Sequence, residues 1–161
     1  MVLPGVGSFE DAMRHLEDRN LIPVIREAKE KNIPFLGICL GLQLLFEESE
    51  ESPGVKGLGL LQGRIAKIPE EEGLKIPHIG WNDLTFPKKG RLFDRVAEHV
   101  YVYFVHSYYL DAKACDVVTA ETFYGAAIGA SVEKDNLFAC QFHPEKSSDV
   151  GLRILKNFAE I

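Results

Sequence analysis

Cys39 lies between Gly37 and Gly41 in the run Pro-Phe-Leu-Gly-Ile-Cys-Leu-Gly-Leu-Gln-Leu-Leu-Phe at residues 34–46. Glycines two positions to either side of a nucleophile permit the sharp strand-to-helix turn that exposes it. Phe35, Leu36 and Ile38 read as a buried strand, and Leu40, Leu44 and Leu45 fall at helical spacing, so Cys39 is expected at such a turn. Unpaired N–H groups at the start of the following helix would lower the thiol pKa and hold a developing oxyanion. A free cysteine is more commonly a packing residue, and the paired glycines argue against that here.

A cysteine nucleophile needs a base, and His15, His78, His99, His106 and His143 are available. His15 falls on a helix and His99 sits beside Glu98 just before a strand, so both are expected at the surface. His143 ends an apolar strand-like segment and is followed by Pro144-Glu145, at the sheet edge where catalytic groups gather in α/β folds. Residues two apart in an extended segment share a side, so Glu145 is expected beside His143, with Pro144 restricting the backbone between them. A carboxylate there would orient the imidazole, leaving its other nitrogen to deprotonate Cys39 and later protonate a leaving group.

Cys115 and Cys140 read as packing residues, Cys140 being expected on the face opposite Phe138 and Phe142. One thiol at the turn with no fourth ligand suggests no metal site. Three cysteines without Cys-x-x-Cys spacing suggest neither disulfide framework nor zinc ribbon, and a reducing cytoplasm fits. No targeting segment or bilayer-length apolar run is recognised, so no membrane partner and a cytoplasmic location are expected. A formal net charge of -6 without a Lys/Arg cluster argues against nucleic acid.

The 161 residues, 46% hydrophobic and 26% charged, suit one compact domain over 1–161. Residues 1–3 read as a very short strand running into the Pro4–Gly7 turn. Ser8 would cap a helix carrying Phe9, Met13 and Leu16 on one face, and a second helix would cover about 21–31. The acidic run 47–51, followed by Pro53, Gly54, Gly57 and Gly59, reads as a solvated loop. From 63 to about 142 the pattern is β-like, around Ile65/Ile68, Leu74/Ile76, 100–109, 117–122, 126–132 and 137–142. A final helix carries Val150, Ile154, Leu155, Phe158 and Ile161 on one stripe, with Ser147 or Ser148 as its cap. This order predicts an α/β fold, with a mainly parallel central sheet flanked by helices and an inserted antiparallel patch.

The segments at 37–46, at 142–147 (Phe-His-Pro-Glu-Lys-Ser) and at 4–9 (Pro-Gly-Val-Gly-Ser-Phe) together resemble class I, triad-type glutamine amidotransferases, which are flavodoxin-like. Pro-His-Ile-Gly-Trp-Asn at 77–82 and Val-His-Ser-Tyr-Tyr at 105–109 narrow the resemblance to the glutaminase subunit of imidazole glycerol phosphate synthases. The resemblance runs through the whole chain in order, although the family's usual strand-helix-strand ahead of Pro-Gly-Val-Gly has no counterpart in it. It implies an α/β sheet incomplete at its N-terminal side, and hence a poorly soluble or self-associating chain.

The resemblance further implies hydrolysis of glutamine to glutamate and ammonia through a thioester on Cys39, with His143 as base then acid and Glu145 orienting it. Gly7 and Leu40 match the oxyanion hole, in a loop whose Val6 peptide reorients. Gln43, His106, Ser107, Tyr108 and Glu51 match glutamine-binding positions. His78, Trp81, Asn82 and Lys146 match the interface with a (β/α)₈-barrel cyclase subunit, which uses the ammonia in histidine biosynthesis and whose binding gates catalysis. No cofactor is implied. An amidotransferase for another synthase, of anthranilate or aminodeoxychorismate type, and a non-catalytic partner-binding domain remain as alternatives.

Overall fold

The computed structural model describes residues 1–112 and 115–161. Its central sheet has five strands in the order β1 (Val2–Gly5), β2 (Phe35–Cys39), β10 (Leu137–Cys140), β9 (Ala126–Lys134) and β8 (Val118–Tyr124). β1 and β10 both pair parallel to β2, whereas β10–β9 and β9–β8 are antiparallel. The sheet is therefore mixed, parallel on the β1 side and antiparallel towards β8. All five residues of β2 are buried, as a strand covered on both faces requires.

Alternation along β2 and β10 sends Phe35, Leu137 and Ala139 to one face, against Phe9, Met13 and Leu16 of α1 (Phe9–Asp18) and Ile25 of α2 (Leu21–Glu30). Leu36, Ile38, Phe138 and Cys140 pack on the other face with Phe142 and with Ile154 of α4 (Ser148–Ala159). Cys140 therefore shares a face with Phe138 and Phe142. The expectation of opposite faces fails because residues two apart in a strand point the same way.

Two smaller sheets complete the architecture. β3 (Glu48–Ser49) pairs parallel with β4 (Arg64–Lys67), which pairs antiparallel with β7 (Tyr108–Leu110). β5 (His78–Asp83) pairs antiparallel with β6 (Tyr101–His106). β5 carries only Ile79 and Trp81 in alternation, too short a pattern to signal a strand, and its pairing with the alternating β6 supplies its structure. No strand forms at Leu74/Ile76, and β1 runs on through Pro4 and Gly5, as an edge strand permits.

The acidic run is not simply solvated. Gly63 N–H donates to Glu47, Lys67 N–H to Glu50, and Phe9 N–H at the start of α1 to Glu51 at 2.8 Å. These carboxylates tie the loop to β4 and α1.

Two glycines let the segments beneath the expected site pack without side chains between them. A Cβ on Gly41 would overlap the Leu3 carbonyl oxygen of β1, and one on Gly151 would overlap the Pro144 carbonyl oxygen. Gly41→Ala and Gly151→Ala should each lower unfolding free energy by about 1–3 kcal/mol, because backbone must shift to admit the methyl group. Leu152→Ala, at a position 62% exposed in α4, should change it by about 0.5 kcal/mol or less. Urea unfolding curves check all three.

Candidate active site

Cys39 ends β2 and directly precedes the single helical turn α3 (Leu40–Gln43), with φ 55° and ψ -110°. Positive φ is a strained state for a residue with a Cβ, held here by the parallel neighbours of β2 and the close packing of Gly37 on Gly41. Gly37 and Gly41 are both needed, since a Cβ on Gly37 would press on the Gly41 carbonyl oxygen. The strand-to-helix turn is thus formed as expected, although the helix is far shorter than the leucine spacing suggested.

The thiol is buried, and its pKa is pushed up to about 11. Burial is the main cause; the Leu40 N–H and the Gln141 amide pull the pKa down, whereas the Glu145 carboxylate raises it. The expected helix-end effect acts in the predicted direction and is outweighed. At rest Cys39 is a thiol, 3.9 Å from the Val105 carbonyl oxygen it donates to and 3.7 Å from the Gln141 Nε2 that donates to it.

His143 is buried and shares a 2.7 Å hydrogen bond between its Nδ1 and Glu145 Oε1. The carboxylate accepts, so Nδ1 carries the proton and Nε2 presents its lone pair. That Nε2 has no hydrogen-bond partner among the described residues. Glu145 reaches it from a 3-10 turn (Pro144–Lys146) and not from extended chain, so the pairing holds by a different backbone route. A clamp to β6 fixes the histidine: its N–H donates to Tyr103 O, Tyr103 N–H donates to Ser147 Oγ, and that hydroxyl donates to His143 O. Ser147 is accordingly occupied here, and makes no side-chain cap for α4.

Cys39 and His143 border one cavity of about 320 Å³, together with Val6, Gly7, Leu40, Gln43, Glu51, His106, Ser107 and Tyr108. The fold thus brings the expected oxyanion and glutamine positions into one cavity with Cys39, Glu51 included. Val6 is 82% exposed, and Gly7 adopts φ 98° with open space where a Cβ would be.

The expected interface residues divide. Trp81 is half-exposed and Lys146 exposed, its Nζ 5.9 Å from the Tyr103 ring centroid; Asn82 donates to the Phe123 carbonyl. His78 is buried, stacked between Phe104 and Tyr124, and cannot present its ring to a partner. It lies opposite His106 in the β5–β6 register, and its Nδ1 is 3.1 Å from His106 Nε2. His106 Nδ1–H donates to Tyr108 O, so His106 Nε2 must accept from His78. His15 and His99 are at the surface as expected.

Gln141, fully buried with its amide on Cys39, was missed. The available signal was a polar residue inside the apolar run 137–142, two positions before His143 and therefore on its side of the chain.

Burial holds His78 at a pKa of about 4 and His106 at about 3, against an ordinary 6.5. Folded, both stay neutral where the unfolded chain takes up protons. Their contribution to stability is therefore complete above pH 6.5 and is lost as pH falls towards 4 and 3. Between pH 7 and pH 5 each should remove about 1–2 kcal/mol of stability. Urea midpoints at the two values measure this, and His78→Gln should reduce the difference by about half.

A family model, "Glutamine amidotransferase class-I", matches residues 1–161. The chain is 50% identical over 161 residues to "Imidazole glycerol phosphate synthase subunit HisH" of Moorella thermoacetica, covering all of this chain and 76% of that protein. It is 52% identical over 158 residues to the protein of that name from Aquifex aeolicus, covering 98% and 75%. Among solved structures, a glutamine amidotransferase superposes with a TM-score of 0.70 at 17% identity, covering 98% of this chain and 78% of that one. The Trypanosoma brucei CTPS glutaminase domain with bound acivicin gives 0.67 at 18% identity, covering 99% and 70%. At those identities the superpositions show the fold alone, and it is the match along the whole sequence that decides: this chain belongs to the class I glutamine amidotransferases.

Proposed function

We propose that the chain is the glutaminase subunit of an imidazole glycerol phosphate synthase, hydrolysing glutamine at Cys39 and passing the ammonia to a barrel cyclase. The observation that carries the chemistry is the free Nε2 of His143, in the same cavity as the Cys39 thiol, with Nδ1 held by Glu145. The half-identical relatives support the assignment to histidine biosynthesis.

His143 Nε2 takes the Cys39 proton as sulfur attacks the glutamine side-chain carbonyl, and the resulting oxyanion is met by the N–H groups of Gly7 and Leu40. The imidazolium, stabilised by Glu145, protonates the nitrogen; the C–N bond breaks, ammonia leaves and a thioester remains. His143 then deprotonates water, which attacks the thioester, releasing glutamate and restoring the thiol. A pKa of about 11 suits this order, because proton transfer and attack are coupled and no exposed thiolate waits to be oxidised.

In the pocket Gln43 donates both N–H groups to protein oxygens, Tyr108 O and Gln141 Oε1, each at 3.0 Å. Its own Oε1 is left to accept from the glutamine α-ammonium, with Glu51 adding negative charge and His106, Ser107 and Tyr108 forming the wall. The aromatic surface on β5, β6 and β8, with Trp81 52%, Tyr101 59% and Phe123 72% exposed and Lys146 beside it, suits a protein partner. Turnover of the Val6–Gly7 peptide is the step that partner binding favours. The chemistry belongs to the cytoplasm, where unpaired thiols such as those of Cys39, Cys115 and Cys140 stay reduced.

Cys39→Ala should abolish glutamine hydrolysis while ammonia-dependent synthesis by the assembled pair persists, and His143→Ala should lower hydrolysis by orders of magnitude. Steady-state assays with and without the cyclase and its ligand check this. Near-normal hydrolysis by Cys39→Ala would exclude the mechanism. Trp81→Ala should weaken assembly by about 1 kcal/mol or more, measured by titration calorimetry.

A further inference from the structure

We propose that Gln141 is the residue that sustains the Cys39 thiolate, and that Gln43 positions its amide to do so. The inference rests on the reading of Cys39 as the nucleophile and adds a residue to its chemistry.

A buried carboxamide normally satisfies itself on backbone groups. Gln141 is 0% exposed, and its two polar atoms are instead spent on two site side chains: Oε1 accepts from Gln43 and Nε2 donates to Cys39 Sγ. Its orientation follows from a chain of forced choices. The Tyr108 carbonyl can only accept, so Gln43 must turn its NH₂ towards it, as His106 also turns its Nδ1–H. The second N–H of Gln43 then meets Gln141 Oε1, which leaves the Gln141 NH₂ facing sulfur.

The groups around Sγ favour its two protonation states differently. The Val105 carbonyl accepts from the thiol and has nothing to offer a thiolate. The Gln141 N–H bonds more strongly to sulfur once it is negative, opposing both burial and the repulsion from Glu145. As His143 takes the proton and sulfur attacks, the Gln141 N–H faces the negative charge growing on sulfur, which leaves the Leu40 N–H to the oxyanion.

The test is an ultraviolet titration of the Cys39 thiolate, taken as the difference from Cys39→Ser, in the wild-type chain and in Gln141→Leu. Losing a hydrogen bond to the charged form should raise the Cys39 inflection by about one pH unit. Iodoacetamide labelling of Cys39 at pH 8.5 should slow about threefold, since the rise in nucleophilicity offsets part of the tenfold loss of thiolate. Gln43→Leu should move the inflection the same way by less. An unchanged inflection in Gln141→Leu overturns the proposal while leaving Cys39 as nucleophile; glutamine hydrolysis surviving in Cys39→Ser overturns the underlying reading instead. If Gln141→Leu does not melt cooperatively, the side-chain amide of Gln141 is followed by nitrogen-15 NMR in the wild-type chain. It should shift at the Cys39 inflection and stay still in Cys39→Ser, and a resonance that ignores Cys39 ionisation overturns the proposal.

Discussion

The parallel pairing of β2 with β10, in which Ile38 lies opposite Cys140, is the constraint from which the site follows. Parallel neighbours end on the same side of a sheet, so residues just beyond each strand meet there whatever their separation in sequence. Cys39 lies one residue beyond Ile38 and His143 three beyond Cys140. β1, parallel on the other side of β2 with Gly5 opposite Cys39, delivers Val6 and Gly7 to the same edge. One register therefore brings together Cys39, His143 and the Val6–Gly7 loop from chain segments more than thirty residues apart.

Glycine and burial then set the chemistry of that edge. Gly41 lets β1 lie against the turn, and Gly151 lets α4 lie against Pro144, so the strained Cys39 and the His-Pro-Glu turn are clamped from beneath. The same packing removes water from the thiol and raises its pKa to about 11, so that it rests protonated. The neutral pair His78–His106 extends this dry polar region from β5 to Tyr108 O, where Gln43 also donates. Polar groups at such depth hold fixed orientations because each has few partners to choose from.

Much of this was legible in the sequence because glycine spacing and apolar runs are local signals. Gly37-x-Cys39-x-Gly41 identified the turn, and the alternation over 100–109 identified β6. What was misread depends on contacts between segments. β5 reads as a motif and becomes a strand only against β6; His78 is matched to the partner interface by resemblance and is buried by Phe104 and Tyr124. The acidic run reads as solvated because its backbone partners, Phe9, Gly63 and Lys67, are distant along the chain. The thiol pKa was misjudged in net direction, since helix-end polarity can be inferred from sequence whereas the desolvation that outweighs it needs the neighbours.

The most direct test of Cys39 as the covalent centre is rapid acid quenching during turnover of carbon-labelled glutamine, followed by peptide mapping. Label held by an acid-stable, hydroxylamine-labile bond on the peptide containing Cys39 is the predicted result. Steady hydrolysis with no label on that peptide, or with label on one containing Cys115 or Cys140, would contradict it.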